Sequence, residues 1–268
     1  MPKAVPPEEE RRLYQDERRG PWTSAAHSFA YVPPMSFLSH EGVHHVSRAL
    51  KIQAETVNRP PFALKRNAFI RRMLFSDSEA ASVAYLVRRQ PIGYRAPEAK
   101  NWVTLCAMLS HLFSRGSAPI ASADSAAKPT IDFQYYNDPS DLDIHGYAIL
   151  ALEKIARTAP LSDFIKRSGL HLPFPTSSYA DSPDSLLTLE QAKEICPNYS
   201  STNYHPCGTC SMLPEVLGGV VSKESRVYGT SNVRCVDASI MPIIPRANII
   251  TTAYAVAERA ADLILGRS

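Results

Sequence analysis

The sequence predicts an α+β chain. Helical periodicity recurs in separate stretches, at Phe62–Phe75 and Ile249–Leu265, and strand-like segments stand between them, at Trp102–Phe113 and Val233–Val236. None of the eleven glycines falls in G-x-G-x-x-G or G-x-x-x-x-G-K spacing, so neither common phosphate-cradling loop is read from the sequence. The 268 residues are 44% hydrophobic and 21% charged, the balance of a globular chain, which excludes disorder and fibrous repeats. Twenty-nine basic against twenty-six acidic residues leave a net charge of +3, too even to argue for nucleic acid or an anionic membrane as partner. With no apolar run of about 18 residues, no membrane-crossing helix is expected.

Taken in order, Met1–Gly20 is charged and has no apolar centre; it reads as a polar, frayed helix rather than a secretory signal peptide. A cytoplasmic location is expected if Met1 is the true start. Residues 21–45 mix aromatics with prolines and predict irregular structure or short strands. Phe62–Phe75 predicts a helix. Ser76 and Glu79 have capping-box spacing, which predicts a second helix burying Ala80, Val83, Ala84 and Val87 and stopping before Pro91. Trp102–Phe113 predicts a strand with Val103, Leu105, Ala107, Leu109 and Phe113 on one face, and Ser114–Ser117 a turn into another strand near Ile120. Ser140–Asp143 predicts the cap of a helix that Pro160 ends. Residues 172–203, rich in Pro, Ser, Asp and Tyr, read as a linker. Val220–Val221 and Val227–Tyr228 read as short extended pieces, and Val233–Val236 as a strand ending at Asp237. The closing helix is expected to stop at Gly266.

His205-Pro206-Cys207-Gly208-Thr209-Cys210 is the densest group of reactive side chains. A zinc deaminase would pair Pro-Cys-x-x-Cys with His-x-Glu, and none of the eight histidines is followed two residues later by Glu. A thioredoxin-like Cys-x-x-Cys belongs after an early strand, whereas this one comes late in the chain. The remaining reading makes His205 a general base and the cysteines small packing residues, with no metal site. His40, His44 and His45 have no partner pattern.

The residues around this cluster carry a resemblance. Tyr204–Met212, Gly218–Val221, Arg226–Gly229, Asn232–Pro242 and Asn248 before an alanine-rich helix resemble, in order, the C-terminal region of the glucose–methanol–choline (GMC) flavoprotein oxidoreductases. Ser114–Ser117, Lys128–Asp132 and Asp141–Leu142, with Gly20-Pro21 and Phe29–Tyr31, resemble that family's substrate domain.

The resemblance implies a substrate-binding domain over 1–200 with a mainly antiparallel sheet and flanking helices. A partial FAD-binding lobe over 201–268 follows, lacking the N-terminal βαβ unit, so the chain is read as a truncated family member. It implies FAD as cofactor, a small alcohol as substrate, oxygen or another acceptor for the electrons, and a separate N-terminal FAD-binding half as the implied partner. His205 would take the hydroxyl proton while hydride passes to flavin N5. Asn248 would orient the alcohol, and Asn248 and Ile249 would offer helix N-terminal amides to the flavin. Asp237 and Ala238 would meet the cofactor's diphosphate region. The alternative is a catalytically silent remnant or interaction subunit that keeps the fold.

Overall fold

The computed structural model describes residues 7–20, 23, 28–56, 61–76, 83–88, 103–165, 187–246 and 248–267. The chain forms two compact units, each drawn from three stretches. The first takes Met1–Val32, Val83–Met108 and Asp143–Ser201; the second takes Pro33–Ser82, Leu109–Leu142 and Thr202–Ser268.

In the first unit, α1 (Pro7–Glu17) opens on proline and three glutamates, the residues a helix N-terminus favours. Strands β1 (Ser28–Val32), β2 (Val83–Arg88) and β3 (Thr104–Leu109) form a sheet in that order. β1 and β2 run antiparallel, with Phe29 opposite Leu86 and Tyr31 opposite Ala84. The helix expected over Ala80–Val87 is therefore wrong. Val83, Tyr85 and Val87 are β-formers, and a partner strand more than fifty residues upstream supplies the ladder that local spacing does not reveal. Asp77–Glu79, half of the expected capping box, lie outside the described residues. β3 confirms a strand within Trp102–Phe113, but all six residues are half-buried, so the expected one-sided burial is absent.

Helix α4 (Pro139–Ala156) continues this unit and α5 (Leu161–Phe164) is a single turn after it. Within the expected linker, α6 (Leu189–Tyr199) is a helix, because Thr188 and Gln191 close a reciprocal capping box. Residues 166–186 of that stretch lie outside the described residues. α4 and α6 pack with Ile144, Ala148, Leu152, Ala192, Ile195 and Cys196 buried. Gly146 allows the approach, since a Cβ there would stand 2.9 Å from Cγ of Lys193. Lys193 also pairs with Asp143 at 2.9 Å. The buried His145 ring meets the Ala107 carbonyl of β3 through Nε2 at 3.1 Å, and burial lowers its pKa below the ordinary range.

In the second unit, α2 (His40–Thr56) occupies the end of the stretch expected to be irregular, burying Val46 and Leu50 one turn apart. The histidines of its first turns mask the apolar spacing in the sequence. α3 (Pro61–Leu74) matches the predicted helix and buries Arg66, Ile70 and Leu74 at i, i+4, i+8. No strand forms near Ile120, which is 86% exposed; the turn at Ser114–Ser117 leads only to one bridge, Ser117 with Asp132. α4 is capped two residues earlier than predicted: Asp138 Oδ1 accepts from the Ser140 amide at 3.1 Å, and Pro139 at the first helical position has no amide to satisfy. The last helix, α7 (Ile250–Ile264), falls where predicted, and Gly266 follows it with φ +67°.

One buried carboxylate fixes this unit's central crossing. Asp141, 1% exposed, accepts from the Phe113 amide at 2.9 Å and the Ser114 amide at 2.7 Å. Arg66 Nη2 donates to the Phe113 carbonyl at 2.8 Å. Burial pushes the Asp141 carboxyl up to about 6 from 3.8, against the pull of the Ser114 hydroxyl and the two amides. Its folded-state value lies above the unfolded one, so its contribution to stability is complete below the unfolded value and is lost as pH rises through about 6. An Asp141→Asn variant does not titrate at this position, so the parent's stability relative to the variant should fall as pH rises through about 6. Denaturant midpoints of the two proteins across pH check this; a parent that gained on the variant as pH rose would reject this account.

Candidate active site

Residues 202–249 of the second unit hold every site residue that the sequence singles out. Little regular secondary structure supports them. Instead, backbone bonds lace short segments together. The Gly208, Cys210 and Met212 amides donate to the carbonyls of Ala238 (3.4 Å), Ser239 (2.9 Å) and Ile240 (2.8 Å), so the loop after His205 runs alongside the 3-10 turn Ala238–Ile240. Isolated bridges join Met212 to Val221, Val221 to Val227 and Arg226 to Arg234. These match the expected extended pieces, although Val233–Val236 contributes one bridge rather than a strand. Val221 is fully buried at their centre. The Tyr228 hydroxyl donates to the Leu213 carbonyl at 3.0 Å, and Arg234 donates to the Glu224 carbonyl.

His205 is half-buried, and its Nε2 is buried with no hydrogen-bond partner among the described residues. Tyr204, before it, is 84% exposed and held at φ +59°, an uncommon conformation for a bulky residue. A buried ring nitrogen without a partner loses its hydration without compensation.

Asp237 is exposed and caps the Ala238–Ile240 turn, its Oδ1 accepting from the Ser239 amide at 2.7 Å. Ala238 lends its carbonyl to Gly208, so the loop of His205 and the Asp237–Ala238 turn are brought together. That turn also packs against α7. Asn248 is exposed just before α7, and Ile249 is buried, with its carbonyl accepting from Ala253 at 2.8 Å. α7 begins without a side-chain cap. Among the described residues no hydrogen bond joins Asn248 to His205.

Two further residues of the second unit were not assigned a role from the sequence. Arg115 lies against Gly208: a Cβ on Gly208 would stand 2.5 Å from its Nη2 and 3.1 Å from the Met241 carbonyl. Its charge also opposes the burial that pushes the Cys207 thiol up. Ser114–Ser117 was legible as a turn, but its proximity to Gly208 was not. His111 is buried with Nδ1 unpartnered among the described residues, and burial and then the Arg246 charge hold its pKa below the ordinary value. No spacing in the sequence marks it. Among the described residues no three His, Cys, Asp or Glu gather to hold a metal ion, and no helix is long and apolar enough to cross a membrane.

The segments that build this geometry coincide with a known profile, that of GMC oxidoreductase, over residues 113–257. The chain belongs to the GMC oxidoreductase family. It is 37% identical over 164 residues to a GMC oxidoreductase family protein of Malassezia sympodialis, 61% of this chain and 25% of that protein. It is 36% identical over 155 residues to an oxygen-dependent choline dehydrogenase of Cronobacter sakazakii, 58% of this chain and 26% of that enzyme. A fungal aryl-alcohol oxidase structure superposes with TM-score 0.70 at 27% identity, over 97% of this chain and 42% of that one. An FAD-dependent oxidoreductase from Chaetomium thermophilum shares the fold with TM-score 0.75 at 22% identity, over 98% of this chain and 45% of that one. The chain thus spans less than half the length of each of these proteins.

The packing of Arg115 on the loop predicts an asymmetry between two glycines. Gly208 (φ +87°) is enclosed, while Gly229 (φ +75°) has nothing within 4 Å of a would-be Cβ. Gly229→Ala should cost about 1–2 kcal/mol, the backbone penalty alone. Gly208→Ala adds the clash and should cost about 2–4 kcal/mol. Equal losses by chemical denaturation would show that Arg115 yields freely.

Proposed function

We propose that this chain carries the proton-abstracting side of an FAD-dependent oxidoreductase that acts on the CH–OH group of a small alcohol. The observation that carries the reading is the buried, unpartnered Nε2 of His205 on a loop tied to the Ala238 turn. The imidazole there takes the hydroxyl proton, and no other described side chain bonds that nitrogen.

The residues present also fit the family's cofactor. α7 starts uncapped, so its first amides carry unneutralised partial positive charge beside the exposed Asn248. FAD, when bound, supplies the acceptor for the hydride that leaves the alcohol carbon. The amides at Asn248 and Ile249 offer the positive end of α7 to the electron-rich side of that group. The Asn248 amide donates to the alcohol oxygen and orients it, but it has no titratable proton, so the base role rests on His205. Asp237 holds the turn by accepting from the Ser239 amide, and Asp237 and Ala238 are the residues that would meet the diphosphate stretch of the cofactor. Electrons pass on to oxygen or another acceptor, and a separate FAD-binding half is the partner that would complete the cofactor site.

The test is anaerobic flavin reduction by primary alcohols, with the protein given FAD alone and given FAD with the N-terminal half of a family member in trans. His205→Ala should slow reduction by roughly 10²–10⁴-fold while the fold persists. Parental rates in that variant would remove His205 from the reaction. No reduction by any alcohol in either arrangement would favour a silent remnant that keeps the fold.

Asn248 should behave differently. Asn248→Ala should slow hydride transfer without moving the pH profile, since orientation and not proton transfer is lost. Asn248→His should be milder than Ala, because an imidazole restores one hydrogen bond. Asn248→Asp should be the slowest, because it puts negative charge where negative charge must develop. An Asp variant as fast as the parent would take Asn248 out of the site.

A further inference from the structure

α7 is apolar on two faces, and its own unit covers one of them. Ile249, just before the helix, with Ala253, Val256, Ala260 and Leu263 recurs at i, i+4, i+7, i+11 and i+14; Ile249 and Ala260 are buried and the others half-buried. Ile250, Tyr254, Ala257, Ala261 and Ile264 repeat that spacing one residue later, and all five are exposed, with Leu265 continuing the line. Ile250, Ile264 and Leu265 are each 61% exposed and Tyr254 67%. The charged residues Glu258, Arg259 and Asp262 fall on the third side. A surface helix ordinarily has one apolar stripe and turns polar residues to water over the rest. A second stripe, with four large apolar side chains in solvent, is the mark of a contact surface.

We propose that two copies of this chain associate through the Ile250–Ile264 stripe, their α7 helices antiparallel about a two-fold axis. Alternate steps of four and three residues are the spacing of a seam between two helices. The sizes along the stripe are self-complementary. When Tyr254 is set against Ala257 of the second copy, Ile250 falls against Ala261 of that copy, because the two pairs share a midpoint, and the two-fold repeats both contacts. Two large side chains thus meet two small ones, which lets the helices approach without a void. A second copy laid on the stripe would bury on the order of 600 Å² from each partner, ~1,200 Å² in all, the lower bound of a specific interface. A contact of that size predicts a weak dimer, closed by its own symmetry rather than growing into a fibre. The association needs neither flavin nor alcohol and does not rest on the proposed oxidation chemistry.

The test is sedimentation equilibrium of the purified chain from micromolar to submillimolar concentration. The average mass should rise from that of one chain toward that of two. Ala257→Glu puts a carboxylate inside the seam but leaves it in water when the chain is alone. It should weaken association at least about tenfold while the circular dichroism of the single chain stays parental. Tyr254→Lys should act in the same direction, and Arg259→Glu, on the charged side, should leave the association unchanged. Under mild oxidation Ala257→Cys, close to the two-fold axis, should give a disulfide-linked dimer that neither the parent nor Arg259→Cys gives. A chain that stays monomeric throughout would leave the stripe to a different polypeptide, such as the FAD-binding half, and overturn the pairing. A dimer indifferent to both Ala257→Glu and Tyr254→Lys would overturn it equally.

Discussion

The second unit depends on one buried carboxylate accepting two successive amides. Asp141, in the first turn of α4, takes the amides of Phe113 and Ser114, and Arg66 of α3 takes the carbonyl between them. Both polar groups of Phe113 are thereby satisfied, and its side chain is almost wholly buried. A single short segment is pinned from two helices. The next residue, Arg115, is the one whose guanidinium stands over Gly208. The Asp138–Ser114 contact strengthens the same crossing, since the Asp138 amide donates to the Ser114 hydroxyl at 2.9 Å.

From that crossing to the loop of His205 the structure relies on backbone bonds between irregular segments. Such segments place side chains only if their own amides and carbonyls are spent on neighbours, and here they are: Gly208, Cys210 and Met212 spend theirs on the Ala238–Ile240 turn. That arrangement leaves room for special conformations, among them Tyr204 and Gly208 at positive φ on either side of the catalytic candidate. It also leaves the buried His205 Nε2 without a partner among the described residues.

Electrostatics divides the histidines by role. His145 is buried against a carbonyl, and His111 is buried beside the Arg246 charge, so both are held neutral as structural groups. Among the described residues His111 and His205 each keep a buried ring nitrogen without a partner, and His205 stands three residues before the Gly208 bond to the Ala238 turn.

The sequence by itself determined the parts that short-range interactions control. α3 and α7 lie where their apolar spacing puts them, because a helix bonds only to itself and its periodicity is written in neighbouring residues. The motif around His205, the Asp237 turn and the family were legible for the same reason: each is a run of adjacent residues. Only the tertiary structure decided what distant residues do to one another. Val83–Arg88 became a strand because Ser28–Val32 offers it a ladder, and Phe113 left the strand pattern to meet Asp141. Arg115 acquired its place over Gly208 in the same way. Pairing of this kind is set by which segments pack together, and no local pattern of residues encodes it.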